Sequence, residues 1–185
     1  MSTDNKKEQT EEVKKQHRRR GWIELGVYAV ILAVVFIVFH YILMLGRIPT
    51  ESMEPNLMTH DWFLGERGAY SEEVPERGDI IVFYSDEFGM SLCKRVIGLP
   101  KEEVSFVGGH VYIDGKPLNE SEYLSEDVVT ESEDTFTVPE DCVFVLGDNR
   151  EVSDDARYWE DPYVSYEDIQ ARIFFVIPFH KLPWF

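Results

Sequence analysis

Twenty consecutive residues, Gly26 to Leu45 (GVYAVILAVVFIVFHYILML), contain no carboxylate, lysine or arginine, and their only titratable members are two tyrosines and His40. At about 1.5 Å per residue, a helix of that length spans roughly the 30 Å hydrocarbon core of a bilayer. A cleavable signal peptide would carry an apolar core of only about 7–15 residues followed by a small-x-small site. Leu45-Gly46-Arg47-Ile48 does not supply that site. A buried core helix would show a polar face, and this run is apolar all round. A transmembrane anchor over residues 22–45 is therefore predicted. His40, near its outer end, reads as an interfacial residue.

Charge orients the anchor. Residues 1–21 hold seven basic and four acidic side chains, a net +3, which leaves −20 for the remainder of a chain whose formal charge is −17. The positive-inside rule then places residues 1–21 as a basic cytoplasmic tail and residues 46–185 on the extracytoplasmic side. With 185 residues in all, that remainder has room for one modest domain. A sequence pI near 4.6 repels phosphate backbones, so nucleic acid is not an expected partner.

The outer segment reads as mainly β. Short apolar stretches at Asp79–Tyr84, Leu92–Ile97, His110–Ile113, Cys142–Leu146 and Arg172–Ile177 are separated by Gly, Pro and acidic turns. Asp114-Gly115 is a hairpin signal, because a type I′ turn needs positive φ at both central residues. Ser165-Tyr166-Glu167-Asp168 has the form of a capping box and predicts a short helix through Arg172. The acidic stretch Glu120–Asp134 reads as a solvated loop. No spacing fits a zinc site, an EF-hand or a phosphate loop, so neither metal nor cofactor is expected. Cys93 and Cys142 read as buried free thiols, although sequence alone leaves a bridge between them open.

Three segments could carry chemistry. Ile48-Pro49-Thr50-Glu51-Ser52-Met53-Glu54-Pro55 follows the anchor, and its two prolines stiffen the loop holding Ser52. A serine hydroxyl needs a base, either a histidine or a lysine kept neutral by burial. In Leu92-Cys93-Lys94-Arg95-Val96-Ile97, strand alternation puts Lys94 on one face between Leu92 and Val96, a desolvating neighbourhood. The third segment, Gly147-Asp148-Asn149-Arg150-Glu151-Val152-Ser153-Asp154-Asp155-Ala156-Arg157, ends a strand in a Gly, Asp and Asn turn and then mixes acids with arginines. Read structurally, it is a hydrogen-bonded loop held by ion pairs; read functionally, Ser153 is a candidate to orient a lysine amine. Asp155 is placed to pair with Arg95 or Arg157, and Asp148 and Asn149 to support the turn.

Together these segments resemble the type I signal peptidases, the membrane-bound Ser/Lys proteases that remove signal peptides from exported preproteins. The resemblance covers most of the chain. It rests on an anchor, then S-x-S-M-x-P (Thr50–Pro55 here), R-G-D-I/V-V (Arg77–Ile81), K-R-V-I-G-L-P (Lys94–Pro100) and G-D-N-R-x-x-S-x-D-S-R (Gly147–Arg157), in that order. It implies that Ser52 is the nucleophile, Lys94 the general base and Ser153 the hydroxyl that positions the lysine. The oxyanion hole would combine the Ser52 N–H with the Thr50 hydroxyl, where the family usually has serine. Implied partners are exported preproteins, membrane lipid and, indirectly, the Sec and Tat export machinery, with no cofactor. The implied fold is an antiparallel β ectodomain with one or two short helices. Residues 103–138 correspond to the small secondary region of compact bacterial members. Ala156, Glu160 and Lys101-Glu102 depart from the pattern, where Ser, Gly and Gly-Asp are usual. Two other readings of the same residues are a Ser/Lys protease dedicated to one secreted substrate and an inactive membrane-tethered scaffold. The aromatics Trp62, Phe63, Phe179, Trp184 and Phe185 are candidates for the lipid interface.

Overall fold

In the computed structural model, residues 3–71 and 73–181 are described; Trp184 and Phe185, two of the candidate interfacial aromatics, lie outside them. Two compact units are present, Met1–Tyr41 and Ile42–Phe185.

The first unit is a helix, α1 (Thr3–Ile37), prolonged by a π-helical turn over Val38–Ile42. Its stretch His17–Ile42 is long and apolar enough to cross a membrane, with a mean hydropathy of 2.5 in its most apolar window. Large side chains such as Trp22, Leu25, Ile31 and Phe36 are exposed along it, a surface suited to lipid rather than water. The apolar run does not stay helical to Leu45. Leu43–Arg47 is a strand, because its backbone pairs with Trp62–Glu66, from Leu43 opposite Glu66 to Arg47 opposite Trp62.

Among its described residues, the second unit contains eleven strands in chain order: β1 (Leu43–Arg47), β2 (Trp62–Arg67), β3 (Ile80–Ser85), β4 (Met90–Gly98), β5 (Glu103–Val107), β6 (His110–Ile113), β7 (Lys116–Pro117), β8 (Phe136–Thr137), β9 (Cys142–Leu146), β10 (Tyr163–Ser165) and β11 (Ile169–Ile177). Seven form one sheet in the order β1-β2-β11-β3-β4-β9-β10, and four form a smaller one, β7-β6-β5-β8. Every pairing is antiparallel. Period-two alternation distributes the apolar side chains between two clusters. Ile81 and Phe83 of β3 join Val96, Val104, Val111 and Val143–Leu146 in the main core, which draws on both sheets. Val82 faces the opposite way and joins Ile48, Met53, Leu57 and Phe63 in a second cluster. Each fully buried aliphatic or aromatic side chain contributes about 1.5–3 kcal/mol.

The β6–β7 connection is the expected hairpin, with Asp114 at φ 50° and Gly115 at φ 73°. The helix expected through Arg172 is a single 3₁₀ turn, Tyr166–Asp168, in which the Ser165 hydroxyl accepts from the Glu167 N–H. The chain then extends into β11, which is paired on both sides, to β2 and to β3. Those two ladders satisfy the backbone groups that a helix would satisfy internally, so tertiary pairing overrides the local cap signal. Phe63 is a core residue, 5% exposed, and not an interfacial one. Trp62 packs against Phe179 with ring centroids 6.3 Å apart.

Candidate active site

Buried anchors on both sides of Ser52 fix its loop. Ile48 exchanges backbone hydrogen bonds with its far end, its N–H donating to the Asp61 carbonyl at 2.8 Å and its carbonyl accepting from His60 N–H at 2.8 Å. Met53 and Leu57, linked by Leu57 N–H to Met53 carbonyl at 2.9 Å, plug into the second cluster. Ser52 is left half-buried, and the exposed Thr50 has its hydroxyl oxygen 3.4 Å from that of Ser52.

Lys94 lies on β4 directly opposite Ile81 of β3. It is 4% exposed, and its Nζ donates to Ser153 Oγ at 2.9 Å, an oxygen on a residue itself 3% exposed. Burial lowers the Lys94 pKa from the ordinary 10.5, opposed in part by the negative charges of Asp155 and Asp154 and by Cys93, and assisted by Arg157. Desolvation is therefore the dominant influence and favours the neutral amine. Within hydrogen-bonding distance the Lys94 amine meets Ser153 and not Ser52; the two side chains meet by lining one cleft.

The loop Gly147–Arg157 connects these parts. Asn149 N–H donates to the Ser52 carbonyl at 3.1 Å, and its side-chain amide donates to the Glu51 carbonyl at 3.2 Å. Asn149 thus holds the Ser52 backbone, beyond the supporting part its place in the turn predicts. Gly147 occupies the closest point: a Cβ there would collide with the Ser153 side chain and with the Ser52 carbonyl. The two predicted partners of Asp155 resolve to Arg157, in a bidentate pair at 2.8 and 3.0 Å, while Asp155 also accepts Gly147 N–H at 2.9 Å. Arg95 instead forms a bidentate pair with Asp148 at 2.7 and 2.6 Å. The β4–β9 register, with Arg95 opposite Leu146, brings Arg95 alongside the turn that Asp148 begins.

Several residues that sequence reasoning passed over belong to this framework. The Asn56 amide donates to Asp148 at 2.9 Å and to the Tyr123 carbonyl at 2.7 Å. Arg150 donates to the Gly147 carbonyl at 2.9 Å, to the Thr130 hydroxyl at 2.6 Å and to the Glu120 carboxylate at 2.6 and 3.3 Å. The acidic stretch Glu120–Asp134 is thus not merely solvated. The available signal was Arg150 itself, an arginine inside the Gly147–Arg157 motif with no carboxylate assigned to it. Glu102, at a position where aspartate is usual, pairs with Arg77 at 2.6 Å and accepts Leu99 N–H at 2.7 Å.

The cleft has a volume of about 480 Å³ and is lined by Ser52, Lys94, Met53, Phe63, Leu92 and Trp159 among others. Along it, β4 is paired to β3 from Met90 to Arg95 but to β9 only from Arg95 onward, so Met90–Lys94 presents a strand edge without a partner among the described strands. Such an edge accepts an extended peptide by main-chain hydrogen bonds. Cys93 and Cys142 are free thiols, and burial pushes the Cys93 pKa up to about 12. Among the described residues, no three His, Cys, Asp or Glu side chains cluster as a metal site.

Residues 19–178 match the family described as signal peptidase, peptidase S26. The chain is 37% identical over 181 residues to a probable signal peptidase I-2 of Synechocystis sp., covering 93% of this chain and 80% of that protein. It is 40% identical over 133 residues to the signal peptidase I of Leptolyngbya laminosa, covering 68% and 64%. It is 25% identical over 239 residues to the signal peptidase I of Rickettsia felis, covering 100% and 87%. A crystal structure of a signal peptidase I from Enterococcus faecalis has 34% sequence identity, covers 55% of this chain and 98% of that one, and gives a TM-score of 0.47.

Proposed function

The chain belongs to the signal peptidase family, and we propose that it uses Ser52 as nucleophile and Lys94 as general base to remove signal peptides from exported preproteins. The observation that carries this reading is the buried Lys94 amine, bonded to Ser153 in the cleft that Ser52 lines. A neutral lysine beside a serine supplies the base that an unactivated hydroxyl lacks.

In the proposed reaction the preprotein lies extended along the Met90–Lys94 edge of β4, with small side chains in the cleft and main-chain hydrogen bonds setting the register. Neutral Lys94 takes the Ser52 proton as Oγ attacks the scissile carbonyl. The resulting ammonium gives that proton to the departing amine of the mature protein. The oxyanion is held by the Ser52 N–H and the Thr50 hydroxyl, a role supported by the 3.4 Å separation of the two hydroxyl oxygens. Lys94 then deprotonates a water that hydrolyses the acyl-enzyme. Ser153 fixes the direction of the amine. Asp155 with Arg157 braces the loop that carries Ser153, Asp148 with Arg95 ties that loop to the strand that carries Lys94, and Asn149 tethers the Ser52 carbonyl.

The protein is membrane-anchored through its N-terminal apolar helix. In the proposed arrangement that helix is a single pass with residues 1–21 in the cytoplasm, and the β unit meets preproteins as the Sec and Tat machinery delivers them. Lipid contact is proposed for the row Leu45, Leu64 and Phe175, cross-strand neighbours on β1, β2 and β11. Leu45 and Phe175 are 47% and 54% exposed. Phe175→Ser should weaken vesicle binding by an anchor-free domain, and unchanged binding would refute that contact.

Cleavage of a preprotein by the full chain in detergent, beside Ser52→Ala and Lys94→Ala, tests the assignment. Product cut after a small-x-small site by the unaltered protein alone supports it. Cleavage by either variant at the unaltered rate overturns it.

A further inference from the structure

The connection from β7 to β8, residues 118–135, carries a run of acidic side chains, but three of its residues point inward and hold the active-site framework. Glu120 grips Arg150 through both carboxylate oxygens, at 2.6 and 3.3 Å; the Arg150 side chain has no exposure and that of Glu120 has 12%. Tyr123 donates its hydroxyl to Glu120 at 2.9 Å, stacks its ring 4.2 Å from the Arg95 guanidinium and offers its carbonyl to Asn56 of the Ser52 loop. Thr130, 1% exposed, accepts from Arg150 at 2.6 Å and donates its own N–H to the Gly109 carbonyl at the β5–β6 turn, at 2.8 Å. A groove of about 780 Å³ separates much of the same connection from residues 148–151. Beyond these three residues, the Glu131 carbonyl accepts from Arg157 at 3.5 Å.

From them a short path leads to the reacting groups. Arg150 holds the Gly147 carbonyl, Gly147 abuts the Ser52 carbonyl and the Ser153 side chain, and Ser153 receives the Lys94 amine. We infer that residues 118–135 act as a strap over the active-site loop, in which Glu120, Tyr123 and Thr130 are positioning residues that keep Ser153 and Lys94 aligned with Ser52. The inference rests on the Ser52/Lys94 assignment above. A buried ion pair of this kind does little for net stability but is costly to break from one side, because an unpaired buried arginine remains. Loss of Glu120 therefore leaves Arg150 to seek water, and the Gly147 carbonyl loses its fixed donor. The loop that shields Lys94 then loosens.

The test compares the full chain in detergent with Glu120→Ala, with Tyr123→Phe and with Glu126→Gln, an exposed position on the same strap. Two readouts are used: kcat and KM for a preprotein, and the titration of the Lys94 amine followed by NMR of its ε-carbon. Glu120→Ala should lower kcat by about 10- to 100-fold with KM within about threefold, as a misplacement of an ångström or less would. It should also move the Lys94 titration to higher pH. The groups facing that amine (Asp155, Asp154, Cys93 and Arg157) are unchanged in the variant, so the movement reports solvent entry. Tyr123→Phe should move both readouts in the same direction by less, and Glu126→Gln neither. If Glu120→Ala does not fold, Glu120→Gln, which keeps the size and one acceptor, should give the same two changes at smaller magnitude. A Glu120 variant with unaltered kcat and Lys94 titration, whatever its melting temperature, overturns the strap. The titration does not depend on turnover. If the unaltered protein cuts no preprotein, the proposed function fails while the titration still decides the strap.

Discussion

Replacing Gly147 by alanine tests whether the Ser52 loop and Lys94 are held in register through one point of contact. Its φ lies outside the left-handed region, so alanine meets no backbone obstacle there and the need for glycine is purely spatial. A Cβ would collide with Ser153 Oγ and stand 2.5 Å from both the Ser52 carbonyl oxygen and Ser153 Cβ, where ordinary contact begins at 3.4 Å, so its neighbours must retreat by at least about 1 Å. Overpacking of this kind costs about 1–3 kcal/mol of stability. The same displacement separates Ser153 from Lys94 or moves Ser52 off its tether to Asn149, and an error of about 1 Å at reacting groups costs on the order of 10²-fold in rate. Gly147→Ala should therefore lose about 10²-fold in kcat for a preprotein while remaining folded by circular dichroism. A folded variant that keeps its rate within about threefold would refute the claim that Gly147 sets the spacing between the two loops.

Three other outcomes follow from the same geometry. Thr50→Val, which keeps the shape and removes the hydroxyl, should lower kcat by about 10²–10³, measured by single-turnover cleavage; full activity would remove Thr50 from the oxyanion hole. Asp148→Ala should cost about 3–5 kcal/mol in denaturant unfolding followed by tryptophan fluorescence, because it strands the buried Arg95 charge; a loss under about 1 kcal/mol would show that Arg95 finds another partner. Lys94 holds its proton less tightly folded than unfolded, so the folded state gains stability as pH rises from the depressed pKa toward about 10.4. Lys94→Met should accordingly melt at a higher temperature than the unaltered protein near pH 6, with the gain vanishing toward pH 11, and an equal gain at both would contradict the assigned cause.

The stiff loop around Ser52 and the burial of Lys94 were legible because their signals are local, whereas the roles proposed for them rest on the family resemblance. Two prolines announce a stiff loop around Ser52, and alternation along Leu92–Ile97 places Lys94 among apolar neighbours without knowledge of the remaining sheet. The Asp114-Gly115 turn was legible for the same reason. Partner choice was not, since it depends on register between strands distant in sequence. Nothing near Asp155 distinguishes Arg95 from Arg157 until β4 is laid against β9. Strands such as β2, with Gly65, Glu66 and Arg67 within it, and β5, which begins at Glu103, lack the apolar stretch that marks β9 and exist through their neighbours. β11 shows the reverse error, where a real cap at Ser165 promised a helix that two flanking ladders preclude. Glu120 was hidden by composition, because in a run of acids the single carboxylate with a buried arginine looks like the others.

Neutrality of Lys94 in the working enzyme is the central claim, and the pH dependence of kcat/KM between pH 5 and 10, recorded beside direct titration of the Lys94 amine in the same protein, tests it most directly. The account predicts activity that rises with pH through a single limb coinciding with the Lys94 titration, below the ordinary lysine value. A rate that is flat between about pH 5 and 9, or a limb that does not coincide with that titration, would contradict it.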